Sequence, residues 1–152
     1  PSRAALAAAA FWRERRIPGR FVAVLSIAGR RAVPGEAYYG ASKAAVARFL
    51  EVLDLEERGS GSRFLAVYPG RIRSSLRDSA RWYGPRDEEP DYAASAEEVA
   101  RRTVDVLLGR RGRRVIGFRE QLIDLADRIS PALYDSVLAR RRSRREKGSR
   151  AR

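Results

Sequence analysis

Three residues of this chain, Ser26, Tyr39 and Lys43, have the types and the spacing that proton-transfer chemistry requires. Tyr39 and Lys43 are four positions apart, so on a helix they lie on one face, one turn apart. An ammonium group beside a phenol favours the phenolate, which makes the tyrosine a usable acid or base. The hydroxyl of Ser26 could donate a hydrogen bond to a substrate carbonyl and polarise it. We therefore predict these three as the catalytic residues.

Composition leaves few other routes to catalysis. None of the 152 residues is Cys or His, which excludes disulfides, thiolate nucleophiles, Cys-based zinc sites and Ser-His-Asp mechanisms within this chain. We predict no metal site. Of the 32 basic residues 30 are Arg, and Lys43 is the only Lys before the C-terminal segment. Position 43 therefore has a compact ammonium group, whereas all other basic residues before the C-terminal segment have a guanidinium.

The elements that position these residues alternate between helix and strand. Ser26 ends a nearly continuous apolar run, typical of a strand buried on both faces of a parallel sheet. Tyr39 lies at the start of a stretch with apolar residues at helical spacing, and Ser95 and Glu98 have the spacing of a capping box. The alternation predicts an α/β fold with right-handed crossovers and helices on both faces of a parallel sheet. The predicted helices are 2–16, 38–58, 95–108, 119–129 and 131–142, and the predicted strands are 20–26, 63–68 and 114–117.

Three motifs of this chain resemble those of a known family. Ser26-Ile-Ala-Gly29, Tyr39-Gly-Ala-Ser-Lys43 and Pro69-Gly-Arg-Ile-Arg-Ser74 resemble the S-x-A-G, Y-x-x-x-K and P-G-x-[IV]-x-[ST] motifs of classical short-chain dehydrogenases/reductases. The resemblance implies the C-terminal half of a Rossmann-type doubly wound parallel sheet, with about three strands and flanking helices. It also implies NAD(P)-dependent reduction of carbonyls or oxidation of alcohols on a small-molecule substrate. We slightly favour NADP over NAD as the cofactor, although the residues that discriminate between the two have no counterpart in this sequence.

The resemblance also implies a role for each residue. Ser26 would orient and polarise the carbonyl, Tyr39 would exchange the proton with the alkoxide, and Lys43 would hold the nicotinamide ribose. Tyr39 and Lys43 would therefore both contact the cofactor. The nicotinamide would be framed by four further residues, Pro69, Gly70, Ile72 and Ser74.

Several features of that family have no counterpart in this sequence. No Gly-rich phosphate loop follows a strand, and residues 59–61 (Gly-Ser-Gly) follow a helix, which predicts a turn. The chain has no Asn, so the family's catalytic Asn and its N-A-G segment are missing. We therefore expect an N-terminally truncated family member, with a partial NAD(P)-binding domain at 1–138 and a basic, disordered tail at 139–152. Alone it should not bind NAD(P)H, and it should be poorly soluble or dimeric because strand 20–26 would have an open edge.

The net charge of +13 is concentrated at the C-terminal end, where residues 139–152 include eight basic residues and one acidic residue. Such a segment can bind nucleic acid or an anionic membrane surface, and the fold could also serve as a non-catalytic interaction module; these are the alternatives to an enzyme. The main interpretation expects no nucleic acid partner, no transmembrane segment, a cytoplasmic location and a homo-oligomer formed through helices 2–16 and 38–58. The apolar stripe of helix 119–129 favours core or dimer packing over membrane contact.

Overall fold

The structure, a computed structural model, describes residues 1–73, 93–109, 114–132, 134–136 and 139. Helices and strands alternate along the chain, as predicted. In order they are α1 (Ser2–Arg15), β1 (Arg20–Val24), α2 (Ala37–Glu56), β2 (Arg63–Pro69), α3 (Ala96–Leu107), β3 (Val115–Ile116) and α4 (Phe118–Ile129). Residues 131–132, 134–136 and 139 are also helical. No helix in this part of the chain combines the length and the apolar character needed to cross a membrane.

The three strands form one parallel sheet in the order β1-β2-β3. Phe21 of β1 is opposite Phe64 of β2, and Tyr68 of β2 is opposite Val115 of β3. Because consecutive strands are parallel, the chain must cross over between them, and the two crossovers contain α2 and α3. The predicted α/β fold with a parallel sheet is therefore confirmed.

An apolar core lies on each face of the sheet, because alternate residues of β2 point in opposite directions. Phe64, Ala66 and Tyr68 pack into one core with residues of α1 and α2. Leu65 and Val67 pack into the other core with residues of α3 and β3. The sheet is therefore a middle layer with helices on both sides, as the alternation of elements predicted.

The end of strand β1 differs from the prediction. The strand stops at Val24 rather than Ser26, although the Leu25 amide still donates a 2.9 Å hydrogen bond to the Val67 carbonyl. Val24 is 49% exposed, so the strand is not buried on both faces as its apolar sequence predicted. Within the described residues β1 pairs with β2 alone, so the other edge of β1 has no partner strand there.

Helix α3 begins at the predicted capping residue. The Ser95 hydroxyl accepts a 3.1 Å hydrogen bond from the Glu98 amide, which satisfies one of the free N–H groups of the first turn. The acid whose pKa changes at this cap is Glu97. Hydrogen bonding to its own backbone amide, and then to the Ser95 side chain, lowers the pKa of the Glu97 carboxyl. The cap is therefore correct, and an additional acid takes part in it.

A partly buried ion pair joins the end of α2 to the start of β2. The Asp54 carboxylate accepts hydrogen bonds of 2.8 and 3.2 Å from the Arg63 guanidinium and one of 2.8 Å from the Phe64 amide. Burial raises the pKa of Asp54, but these hydrogen bonds lower it by more, so the net pKa lies below its usual value. Asp54 therefore stabilises this junction in its ionised form.

Replacing Asp54 with Asn should lower the free energy of unfolding at pH 7 by about 1–3 kcal/mol, because partly buried donors lose a charged acceptor. The pKa of Asp54 is lower in the folded chain than in the unfolded chain. Its contribution is therefore complete above the unfolded pKa of about 4 and disappears as the pH falls through the folded value. Urea titrations followed by circular dichroism should show a larger difference from wild type at pH 7 than at pH 3. Glu56→Gln, at an exposed position of the same helix, is the control, and an equal loss in both variants would count against the ion pair.

Candidate active site

Tyr39 and Lys43 lie on one face of the first two turns of α2. The Lys43 ammonium nitrogen is 5.2 Å from the centre of the Tyr39 ring, which is within cation–π range. Tyr39 is 44% exposed, so a ligand can reach it, and the Lys43 side chain is half-buried beside it. The structure thus brings together the two residues whose spacing predicted a common face.

Ser26 follows β1 and caps a short 3-10 turn, Ile27–Gly29. Its hydroxyl oxygen accepts a 3.2 Å hydrogen bond from the Ala28 amide, which holds the side chain in place. A serine hydroxyl has one donor hydrogen and two acceptor lone pairs, so this bond leaves the hydrogen available for a substrate oxygen. Ser26 lies at the carboxyl end of the parallel sheet, the edge at which α/β proteins bind ligands.

Two glycines allow this turn to lie directly against α2. A Cβ at Gly29 would come within 2.8 Å of the Lys43 Cβ, and a Cβ at Gly40 would come within 2.8 Å of the Ala28 carbonyl oxygen. Side chains at these positions would therefore force the turn and the helix apart. The turn after β1 is packed onto the part of α2 that bears the Tyr–Lys pair.

The neighbours of the pair are arranged differently. Tyr38 is almost fully exposed and has Ser42, not Lys, four positions further on. The Ser42 hydroxyl donates a 2.7 Å hydrogen bond to the Tyr39 carbonyl, so it is bonded to its own helix. Of the two adjacent tyrosines, Tyr39 is the one with an ammonium group beside its ring.

The predicted nicotinamide residues begin at the end of β2. Pro69 is the last residue of that strand, and the Gly70 amide donates a 3.2 Å hydrogen bond to the Ile116 carbonyl of β3. The buried Glu120 side chain of α4 occupies the space that a Cβ at Gly70 would need. Glu120 was not identified from the sequence, because a single acid on an amphipathic helix gives no sign of which loop it contacts.

Ile72 is held by a bridge to Ala94. The two 3.0 Å hydrogen bonds of this bridge use the Arg71 carbonyl and the Arg73 amide. In the described part of the chain, the N–H and C=O groups of Ile72 itself make no backbone hydrogen bond. Ser74, the remaining predicted nicotinamide residue, lies outside the described residues.

Arg30, which directly follows the turn, is a structural residue that the sequence did not reveal. Its guanidinium donates hydrogen bonds of 2.7 and 3.1 Å to Asp124 of α4 and lies 5.0 Å from the centre of the Tyr68 ring. The hydrogen bonds to Asp124 raise the pKa of Arg30. Burial raises the pKa of Tyr68, and the charge of Arg30 opposes that rise. Arg30 and Asp124 are 94 residues apart, so no local pattern connects them.

A cleft of about 360 Å³ lies beside Arg30, between the turn after β1, α2 and the end of β2. Its walls include Ala47 and Glu51 of α2 and the Tyr68 ring. Ser26, Tyr39 and Lys43 do not line this cleft, so it is not the space in which they would meet a substrate. No group of three or more Asp or Glu side chains suited to a metal ion occurs in the described ranges.

Known proteins resemble this chain in sequence. A family model described as short chain dehydrogenase matches residues 3–82, which include Ser26, Tyr39, Lys43 and the segment 69–74. An uncharacterized oxidoreductase of Myxococcus xanthus is 45% identical over 58 residues, which are 38% of this chain and 23% of that protein. The mouse dehydrogenase/reductase SDR family member 7B is 28% identical over 144 residues, which are 90% of this chain and 44% of that protein.

Solved structures resemble it in fold. A short chain dehydrogenase from Burkholderia cenocepacia, in complex with NADP, aligns with a TM-score of 0.63 and 26% identity over 81% of this chain and 48% of that one. A putative betaketoacyl-ACP reductase aligns with a TM-score of 0.53 and 22% identity over 70% of this chain and 47% of that one, a likeness of fold alone. The chain spans less than half of the length of each of these four proteins.

Replacing Gly29 with Ala should lower the free energy of unfolding by about 1–3 kcal/mol, because the added methyl would overlap Lys43 in a packed contact. Gly59→Ala is the matched control, because nothing lies within 4 Å of a Cβ there. It should change the stability by less than about 0.5 kcal/mol. Urea unfolding of the two variants and the wild type measures both effects. A Gly29→Ala protein as stable as wild type would show that the turn does not lie against α2.

Proposed function

Because the chain belongs to the short-chain dehydrogenase family, we propose that it catalyses NAD(P)-dependent interconversion of a carbonyl and an alcohol on a small-molecule substrate. The proposed catalytic residues are Ser26, Tyr39 and Lys43. The observation that carries the proposal is the position of the Lys43 ammonium, 5.2 Å from the centre of the Tyr39 ring. This pair is on the helix against which the turn of Ser26 packs, at the carboxyl end of a parallel sheet.

Each of the three residues has a separate task in this proposal. Ser26 donates its hydroxyl hydrogen to the substrate carbonyl oxygen and polarises the carbonyl. Tyr39 gives its phenolic proton to that oxygen as the alcohol forms, and takes the proton back in the reverse direction. The Lys43 ammonium stabilises the phenolate that remains and binds the hydroxyls of the nicotinamide ribose.

The end of β2 fits the nicotinamide of such a cofactor. A carboxamide has a donor and an acceptor, and Ile72 offers a C=O and an N–H that make no backbone hydrogen bond in the described residues. When bound, NAD(P)H supplies the hydride for the carbonyl carbon. The NADP complex of the Burkholderia relative supports a nicotinamide cofactor. We slightly favour NADP over NAD. The proposed cofactor-binding residues are Tyr39, Lys43, Pro69, Gly70, Ile72 and Ser74.

The proposal also covers the domain, the location and the oligomer contact of the chain. In this proposal residues 1–138 form part of an NAD(P)-binding domain, and the cofactor phosphates are held by residues outside the 152 given, because no Gly-rich loop follows a strand. We place the protein in the cytoplasm and its homo-oligomer contact on α1 and α2. Support for that contact comes from exposed apolar side chains on the two helices, Leu6, Phe11, Val52 and Leu55.

Replacing Tyr39 with Phe should lower kcat by about 10²–10⁴-fold, the usual contribution of a positioned acid or base. Affinity for NADPH should stay largely intact, because the ring and the Lys43 ammonium remain. The assay uses a preparation that oxidises NADPH with a carbonyl compound, chosen from a panel of aldehydes and ketones. Tyr38→Phe is the matched control, since Tyr38 has no lysine four positions further on, and it should keep nearly full activity.

Two results would count against the proposal. Most of the activity surviving in Tyr39→Phe would remove Tyr39 as the proton donor. A lack of turnover with both NADPH and NADH in every preparation, including one with any preceding coding sequence, would favour a non-catalytic interaction module. Binding of NADPH, measured by fluorescence, distinguishes a loss of chemistry from a loss of binding. A loss of cofactor affinity in Tyr39→Phe would indicate that Tyr39 acts in binding instead.

A further inference from the structure

Helix α4 carries most of its apolar residues on the outside of the molecule. Its buried residues are two acids, Glu120 and Asp124. Its exposed residues include an apolar row that we name the α4 stripe: Phe118 at 74% exposure, Leu122 at 51%, Leu125 at 53% and Ile129 at 74%. The spacing of four, three and four positions places the whole row on one side of the helix. Periodicity predicted an apolar stripe on this helix with core or dimer packing; the described residues do not bury it in a core, and dimer packing stays a prediction.

The orientation of α4 is fixed by its two acids. Asp124 receives the two hydrogen bonds of Arg30. Glu120 fills the space next to the backbones of Gly70 and Gly117. Turning α4 so that the α4 stripe became buried would break the ion pair of Arg30 with Asp124. It would also move Glu120 away from the two glycine backbones. Within the described residues the stripe is therefore held at the surface.

Basic residues flank the α4 stripe. Arg119 follows Phe118 by about 100° around the helix and Arg128 precedes Ile129 by about 100°, so the two arginines lie on opposite sides of the row. Both are exposed. The chain continues into residues 139–152, which include eight basic residues and one acid. An apolar row with a basic residue on each side and a basic segment after it is the pattern of helices that lie on anionic membranes.

We propose that the α4 stripe is a docking surface for an anionic lipid membrane. The helix lies along the surface, with its apolar row between the lipid headgroups and its arginines beside the phosphates. A second copy of the chain fits this surface less well, because it would bring the flanking arginines and basic segments of two +13 chains together. A nucleic acid would match the positive charge but would leave the apolar row without a partner. This inference does not depend on the proposed oxidoreductase activity.

The test is co-sedimentation of the full chain with vesicles of phosphatidylcholine alone and of phosphatidylcholine with 30% phosphatidylglycerol. Wild type should bind the anionic vesicles and not the neutral ones, and rising NaCl should weaken binding. Leu122→Gln with Leu125→Gln should lower the partition coefficient by about tenfold or more. Val104→Gln with Leu108→Gln is the matched control, because these two exposed apolar residues lie in and just after α3, and it should bind like wild type.

Three outcomes would overturn the proposal. The first is equal binding of the Leu122/Leu125 variant and wild type, which would mean that charge alone attracts the chain. The second is binding to a DNA duplex but not to anionic vesicles. The third is no vesicle binding together with a dimer, seen by analytical ultracentrifugation, that the Leu122/Leu125 variant loses. Arg119→Gln with Arg128→Gln gives an independent readout: anionic binding should fall at low salt, and unchanged binding would also count against the proposal.

Discussion

The candidate site depends on one close contact, in which the turn after β1 lies against the first turns of α2. Gly29 and Gly40 allow this contact, because a Cβ at either position would overlap the opposite backbone or Cβ. The contact fixes where the hydroxyl of Ser26 stands relative to the Tyr–Lys pair. Polarisation of a carbonyl and transfer of a proton both require positions correct to within about 1 Å, so the arrangement of these two backbones determines whether the three side chains can act together.

Two charged pairs hold the partners of this contact in place. Asp54 and Arg63 join the end of α2 to the start of β2, and Arg30 and Asp124 join the turn to α4. At Asp54 the hydrogen bonds outweigh the effect of burial, because the net pKa of its carboxyl is lowered. Each pair also contributes geometrically, since it defines one relative position of two elements.

Local rules account for what the sequence predicted correctly. A four-residue spacing is enough to place Tyr39 and Lys43 on one helix face, and an apolar run is enough to identify a strand of a parallel sheet. Contacts between distant segments were not accessible in this way. The sequence shows that α4 is amphipathic, but the side it buries follows from the pairing of Asp124 with Arg30. The exposure of Val24 likewise depends on which element packs over that face of β1.

Tyr39 and Lys43 are proposed to act as one unit, and a double-mutant cycle tests this most directly. The quantity is kcat at saturating NADPH, in a preparation that oxidises NADPH with a carbonyl compound, for wild type, Tyr39→Phe, Lys43→Met and the double variant. Joint action predicts that the double variant is slower than the slower single variant by no more than about threefold, because the first substitution already removes the shared contribution. Two losses that multiply in the double variant would contradict a common proton-transfer unit.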